Sequence, residues 1–168
     1  EGASAVQGLK QWVDDVLHHR AMPQQIRPGA FSVGDDLATA PGAVVYRHPL
    51  FELLQYGAAT PSVHRRPLLM VPPQINKYYI FDLQPENSLF RYLIAQGFQL
   101  FCLSWRNPDA SLEHKTWDDY VEHGAIEAID VVQQISGVPQ INALGFCVGG
   151  TILSNALAVL AARGKDPV

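Results

Sequence analysis

The residues best suited to chemistry lie in one short run, Gly145-Phe146-Cys147-Val148-Gly149-Gly150. A cysteine with glycine two positions to either side fits a nucleophile elbow, in which a strand turns sharply into a helix, here with cysteine where many such sites have serine. The turn forces the nucleophile into strained backbone angles, and side chains two residues before and after it would collide. Gly145 and Gly149 are expected to remove that collision. The same turn would place Cys147 at a helix N-terminus, where aligned peptide dipoles favour thiolate over thiol. It would also aim the Val148 backbone N–H at an oxyanion developing on a substrate carbonyl.

A second oxyanion donor is expected from the loop after an earlier central strand, here Pro72-Pro73-Gln74-Ile75-Asn76. Proline has no N–H, so Gln74 or Ile75 must supply it. A cysteine nucleophile also needs a base, and at elbows of this kind the acid and the histidine follow the nucleophile in chain order. After Cys147 there is no histidine and only Asp166. The six histidines (His18, His19, His48, His64, His114 and His123) all precede the elbow, and none is assigned to a triad. Cys102 lies in an apolar run and reads as inert core.

The elbow needs a strand before it and a helix after it, and the pattern supplies both. Ile141 to Leu144 reads as a short strand and Thr151 to Ala162 as an apolar helix ending near Gly164. Upstream, Val44-Val45-Tyr46 and Phe51 to Tyr56 suggest an edge hairpin turning at His48-Pro49. Leu68-Leu69-Met70-Val71, apolar on both faces and stopped by Pro72-Pro73, reads as a buried central strand. A helix from Pro85, with Leu89, Leu93 and Ile94 on its apolar face, should stop at Gly97, before a strand from Phe98 to Leu103. The polar turn Ser104 to Asp109 leads to Thr116, an N-cap candidate with Asp118 and Asp119 in the first turn. A long helix should follow, its stripe formed by Trp117, Tyr120, Val121, Ala125, Ala128, Ile129, Val132 and Ile135, ended by Gly137 and Pro139.

Alternating strands and helices imply an α/β fold, a mostly parallel sheet with helices on both faces and right-handed crossovers. With the elbow, this is an incomplete α/β-hydrolase fold. Residues 44–168 would form the first part of the catalytic domain, and residues 1–43 a partly helical N-terminal segment and linker. The first residue is Glu1 and the chain stops just past a helix, so a fragment is expected.

Composition narrows the classes of function. The 168 residues are 48% hydrophobic and 17% charged, enough to bury a core. The net charge is −4, and the twelve Lys and Arg residues are scattered, which leaves no footprint for nucleic acid. The longest apolar run, Ala156 to Ala162, is far short of the roughly 18 residues that suggest a membrane span. There is no secretory signal pattern. Two cysteines make no disulfide framework, and no spacing resembles a zinc site, so the cytosol is the default compartment.

Four segments together resemble one family: Pro67 to Ser88 (PLLMVPPQINKYYIFDLQPENS), Ser104 to Asp109 (SWRNPD), Thr116 to Tyr120 (TWDDY) and Gly145 to Thr151 (GFCVGGT). They look like polyhydroxyalkanoate synthases of the class I, poly(3-hydroxybutyrate) type, over about Phe31 to Pro167. Phe146 and Val148 resemble that class rather than the medium-chain class, which usually has smaller residues there. The resemblance implies an acyltransferase that polymerises (R)-3-hydroxyacyl-CoA, with short-chain substrates, through a thioester on Cys147. It maps the oxyanion donors onto Val148 and the loop at Gln74 and Ile75. The family's catalytic Asp and His have no counterpart in this chain, so these residues alone should not polymerise. No metal or organic cofactor is implied. The implied partners are the acyl-CoA, the growing polyester, the granule surface and a second copy of the full-length enzyme. The competing readings are a cysteine hydrolase of dienelactone-hydrolase type, against which the extended PPQINKYY run argues, and a non-catalytic granule-binding module, against which the intact elbow argues.

Overall fold

The computed structural model describes residues 2–23 and 27–168, which fall into two compact units, Glu1–Ser32 and Val33–Val168. The first unit is carried by helix α1 (Gly2–His18), which buries none of its residues. The partial helix expected near the N-terminus is therefore present, and part of the turn-rich run after Pro23 lies outside the described residues. Among the described residues no helix is long and apolar enough to cross a membrane.

The second unit is built on five strands: β1 (Gly42–His48), β2 (Phe51–Tyr56), β3 (Leu68–Val71), β4 (Leu100–Trp105) and β5 (Asn142–Gly145). Their order across the sheet is β1-β2-β4-β3-β5. The hairpin β1–β2 and the pair β2–β4 are antiparallel, whereas β4, β3 and β5 run parallel. Alternation along the strands divides the core in two. Leu69, Val71, Phe101, Leu103 and Trp105 face one cluster, and Leu68, Met70, Leu100 and Cys102 face the other. Helix α2 (Leu89–Ala95) closes the second cluster through Phe90 and Ile94. The first is closed by a continuous helical run of α3 (Trp117–Tyr120), a π segment (Val121–Ile126) and α4 (Glu127–Ser136), together with α5 (Val148–Ala162). Helices thus cover both faces of a mixed sheet, the arrangement the sequence implied. The connection after β3 crosses one face and those after β4 and β5 the other. The carboxyl ends of β3, β4 and β5 therefore lie on one edge, where open α/β sheets form their crevices.

Several boundaries depart from the sequence pattern for identifiable reasons. Pro85 opens a separate 3-10 turn, Pro85–Asn87, and α2 starts at Leu89 because extended Ser88 caps it, its hydroxyl accepting from the Arg91 N–H at 3.0 Å. Gly97 does end that helix, at φ +84°. Strand β4 runs two residues past Leu103 because Ser104 and Trp105 pair with Glu52 and Phe51 of β2, so Trp105 is core rather than turn. Thr116 caps α3 as expected, with the Asp119 carboxylate accepting its backbone N–H at 2.8 Å. The stripe of the long helix runs through the π segment, with Val121, Ala125, Ala128, Ile129 and Val132 buried in one cluster, and the π turn adds a residue to it. Gly124 and Ile126 consequently join the buried face, while Trp117 and Ile135 are each 43% exposed.

Gly124 marks the closest approach of this helix to the sheet. A Cβ there would lie 2.9 Å from two ring carbons of Trp105. That ring cannot swing away freely, since its indole N–H donates to the Pro72 carbonyl at 2.9 Å and its edge meets Phe51 and Tyr120. Overpacking at such a site costs about 1–3 kcal/mol, against a gain of roughly 1 kcal/mol in helix propensity for alanine. Gly124→Ala should therefore lower the stability of the full-length protein by about 1 kcal/mol, read as a lower midpoint in urea at unchanged slope.

Candidate active site

Strand β5 ends at Gly145 and α5 begins at Val148, so Phe146 and Cys147 are the whole turn between them. Cys147 is the N-cap of α5 with φ 56° and ψ −130°, a conformation that costs of order 1–3 kcal/mol for a residue with a side chain. Bonds on either side hold it there. The Phe146 N–H donates to the Val71 carbonyl at 3.1 Å, and the Gly150 N–H donates to the Cys147 carbonyl at 2.9 Å. Cys147 itself is exposed.

The elbow glycines meet one another, a Cβ on Gly145 lying 3.0 Å from the Gly149 carbonyl oxygen, and they meet other backbone as well. A Cβ on Gly145 would lie 2.5 Å from the Gly150 Cα. A Cβ on Gly149 would lie 2.2 Å from the Val71 carbonyl oxygen and 2.4 Å from that of Pro72, so this glycine is needed to seat the helix on the end of β3. Gly150 contributes as well, its missing Cβ falling 3.3 Å from the Gly145 carbonyl oxygen. The two-residue spacing around the cysteine gave no sign of that third position.

Val148 is the first residue of α5, and its N–H belongs to the first-turn donors that a helix leaves without an intrahelical acceptor. The approach of Gly149 to Pro72 brings the following loop against the elbow. Within it Pro72 and Pro73 are buried, Gln74 is half-buried and Ile75 is 83% exposed. Cys147, Val148 and the Gln74–Ile75 loop therefore share the carboxyl edge of the sheet. Phe146 packs edge-on against Phe81 at 5.5 Å, which ties the elbow to the 3-10 turn Tyr78–Phe81. Sequence reasoning also missed Trp105, whose bond to Pro72 fixes the loop. An indole at the end of an apolar strand, beside a proline-rich loop, was the available signal.

Among the described residues no histidine hydrogen-bonds the Cys147 sulfur. His18 and His19 lie beside Asp14, at 2.8 and 3.7 Å. His48 and His123 both approach Glu127, at 3.8 and 3.9 Å, and the same carboxylate accepts the Tyr46 hydroxyl. The His64 ring pairs with the Gln96 carbonyl at 3.0 Å, and His114 is exposed. Among the described residues no group of three or more His, Cys, Asp or Glu could hold a metal ion.

Residues 1–93 match the model described as the N-terminus of poly-beta-hydroxybutyrate polymerase (PhaC). The chain belongs to that polymerase family. Residues 67–168 match the alpha/beta hydrolase fold, in accord with the sheet and the elbow. Among named members of the family, the chain is 56% identical over 166 residues to the poly(3-hydroxyalkanoate) polymerase subunit PhaC of Cupriavidus necator, covering 99% of this chain and 28% of that protein. It is 43% identical over 167 residues to poly(3-hydroxyalkanoate) polymerase 1 of Ectopseudomonas oleovorans, covering 99% of this chain and 30% of the relative. The PhaC subunit of Rhizobium meliloti is 37% identical over 169 residues, with 99% and 28% covered. The chain thus spans under a third of the length of these polymerases.

The two cysteines of this polymerase-family chain differ in ways that chemistry can read. Cys102 is fully buried, and burial pushes its thiol up. Cys147 is open to solvent. Iodoacetamide at neutral pH should alkylate Cys147 and leave Cys102 unmodified in the native protein, with both modified in denaturant, as read by peptide mass spectrometry. Gly149→Ala should cost the full-length protein at least about 2 kcal/mol, because its methyl would meet backbone carbonyls that cannot rotate away. Urea midpoints compared with Gly150→Ala, where the contact is looser, check the difference.

Proposed function

We propose that this chain is the nucleophile-bearing part of an acyltransferase that polymerises (R)-3-hydroxyacyl-CoA, 3-hydroxybutyryl-CoA in particular, into polyhydroxyalkanoate with release of CoA. The observation that carries the reading is the exposed Cys147, held at φ 56° in the turn between β5 and α5 of a polymerase-family chain. The relatives' printed names support the product class.

In this reading the Cys147 thiolate attacks the thioester carbonyl and forms a tetrahedral intermediate. Its oxyanion lies against the Val148 N–H and an N–H of Gln74 or Ile75. Collapse expels CoA as the thiol and leaves the acyl group on sulfur. The exchange of one thioester for another costs little free energy, and the acyl group stays activated toward the 3-hydroxyl of the next unit. A general base must take the thiol proton and later the hydroxyl proton. No side chain of this chain is assigned that part, so a histidine and an orienting acid come from the rest of the full-length protein. The likeness of Phe146 and Val148 to the short-chain class supports short acyl chains. The reading also places the protein in the cytoplasm at the surface of polymer granules, as a homodimer, with no cofactor beyond the CoA carried by the substrate.

Cys147→Ser in the full-length protein tests the sulfur chemistry. A hydroxyl is far less acidic than a thiol, and an oxygen ester is a poorer acyl donor, so acylation and elongation should both slow. The initial rate of CoA release and the polymer yield from (R)-3-hydroxybutyryl-CoA should fall by well over tenfold. A serine variant within about tenfold of wild type, a barrier change of only about 1.4 kcal/mol, would sink the thioester mechanism.

A further inference from the structure

The crevice between the carboxyl ends of β3 and β4 holds a cleft of about 340 Å³. Its walls are the loop after β3, with Gln74 and Lys77, and the turn after β4, with Arg106 and Asn107. Tyr120 of α3 closes one side. The position is physically distinctive. The connection leaving β3 crosses one face of the sheet and the one leaving β4 crosses the other, so the two loops part here, and open α/β sheets take ligands at such switch points.

The charges in the cleft are unevenly satisfied. Arg106 is committed, its Nη2 lying 2.7 Å from Asp109 Oδ2 and 3.1 Å from the Ser111 hydroxyl. The Ser111 hydroxyl and then that guanidinium hold the Asp109 carboxyl down at about 2, so the pair stays ionised and closed. Lys77 has no such partner among the described residues, and no acidic side chain lines the cleft. Burial already pulls the Lys77 amine below its ordinary range. A partly desolvated ammonium without a counter-charge is costly, and an anion that entered the cleft would remove the cost. The Gln74 amide nitrogen is shut away from solvent with no acceptor, so a second donor in the same wall is unspent.

We propose that this cleft takes the phosphate-bearing end of the acyl-CoA, with Lys77 as the cation that meets the phosphates. The inference rests on the acyltransferase reading above and extends it from the reacting carbonyl to the carrier. The loop that carries Lys77 is the same one that offers Gln74 and Ile75 to the oxyanion, so one segment would grip the carrier and face the thioester. Lys77 is then a binding residue. Its contribution should appear with CoA thioesters and vanish with thioesters that lack phosphate.

The test uses the full-length protein in two backgrounds. With Cys147→Ala to stop turnover, calorimetry should give a Kd for CoA that Lys77→Gln raises roughly tenfold, the scale of one charge-assisted hydrogen bond. Lys77→Arg should recover most of the affinity, and the weak binding of pantetheine should be the same in all three. With Cys147 intact, Lys77→Gln should raise KM for (R)-3-hydroxybutyryl-CoA and leave KM for the N-acetylcysteamine thioester unmoved. Inorganic pyrophosphate should compete with CoA on the protein with native Lys77, which reads the same contact should Lys77→Gln fail to fold.

A folded Lys77→Gln protein that binds CoA within twofold of its parent would overturn the proposal, as would equal weakening of CoA and pantetheine or a lack of competition by pyrophosphate. Polymer made at an unchanged KM would refute the cleft and leave the acyltransferase reading standing. Lys77-dependent CoA binding by a wild-type protein that makes no polymer would do the reverse.

Discussion

The close seating of α5 on the end of β3 is the constraint from which the rest of the site follows. The helix backbone comes so near the Val71 and Pro72 carbonyls that only a hydrogen fits at position 149. This approach sets the angle at which β5 turns into α5 and holds Cys147 in a conformation that side-chain-bearing residues avoid. It also brings the proline-rich loop after β3 beside the cysteine. Strain at one residue is tolerated because the β-ladder between β3 and β5, the Phe146 bond to Val71 and the buried face of α5 all fix the backbone around it.

Trp105 extends this constraint across the sheet. It ends β4, packs beneath Gly124 of the long helix, and bonds through its indole N–H to the same Pro72 carbonyl that Gly149 approaches. The helix on one face, the central strand and the loop beside the nucleophile are thus coupled through one ring. The buried sheet supplies stiffness, and the loops at its carboxyl edge supply the chemistry, a division common to parallel α/β architectures.

Much of this was legible in the sequence because the relevant signals are local. Four consecutive apolar residues stopped by two prolines mark β3, glycines at 97 and 137 stop helices at positive φ, and the glycine-flanked cysteine marks the elbow. Illegible features were those set by partners distant in the chain. Whether Ser104 and Trp105 belong to a turn or a strand is decided by β2, some fifty residues earlier, and by the ring contacts of the indole. The contact that demands glycine at position 149 comes from the end of β3, far upstream in the chain. The cleft at Lys77 combines residues from two loops that periodicity cannot bring together.

The π segment between α3 and α4 leaves a mark on how this family can vary. A π turn holds one residue more than an α turn, so the helix before it is out of phase with the helix after it by about 100°. Tyr120 lines the cleft and also meets the Trp105 ring on which Gly124 sits, so this helical run touches the cleft and the sheet together. The extra residue acts as a fixed gear that sets the rotation of α3 against α4. An alignment that places a one-residue gap in this run would be describing a rotation of the cleft wall against the core, rather than a simple loss of length.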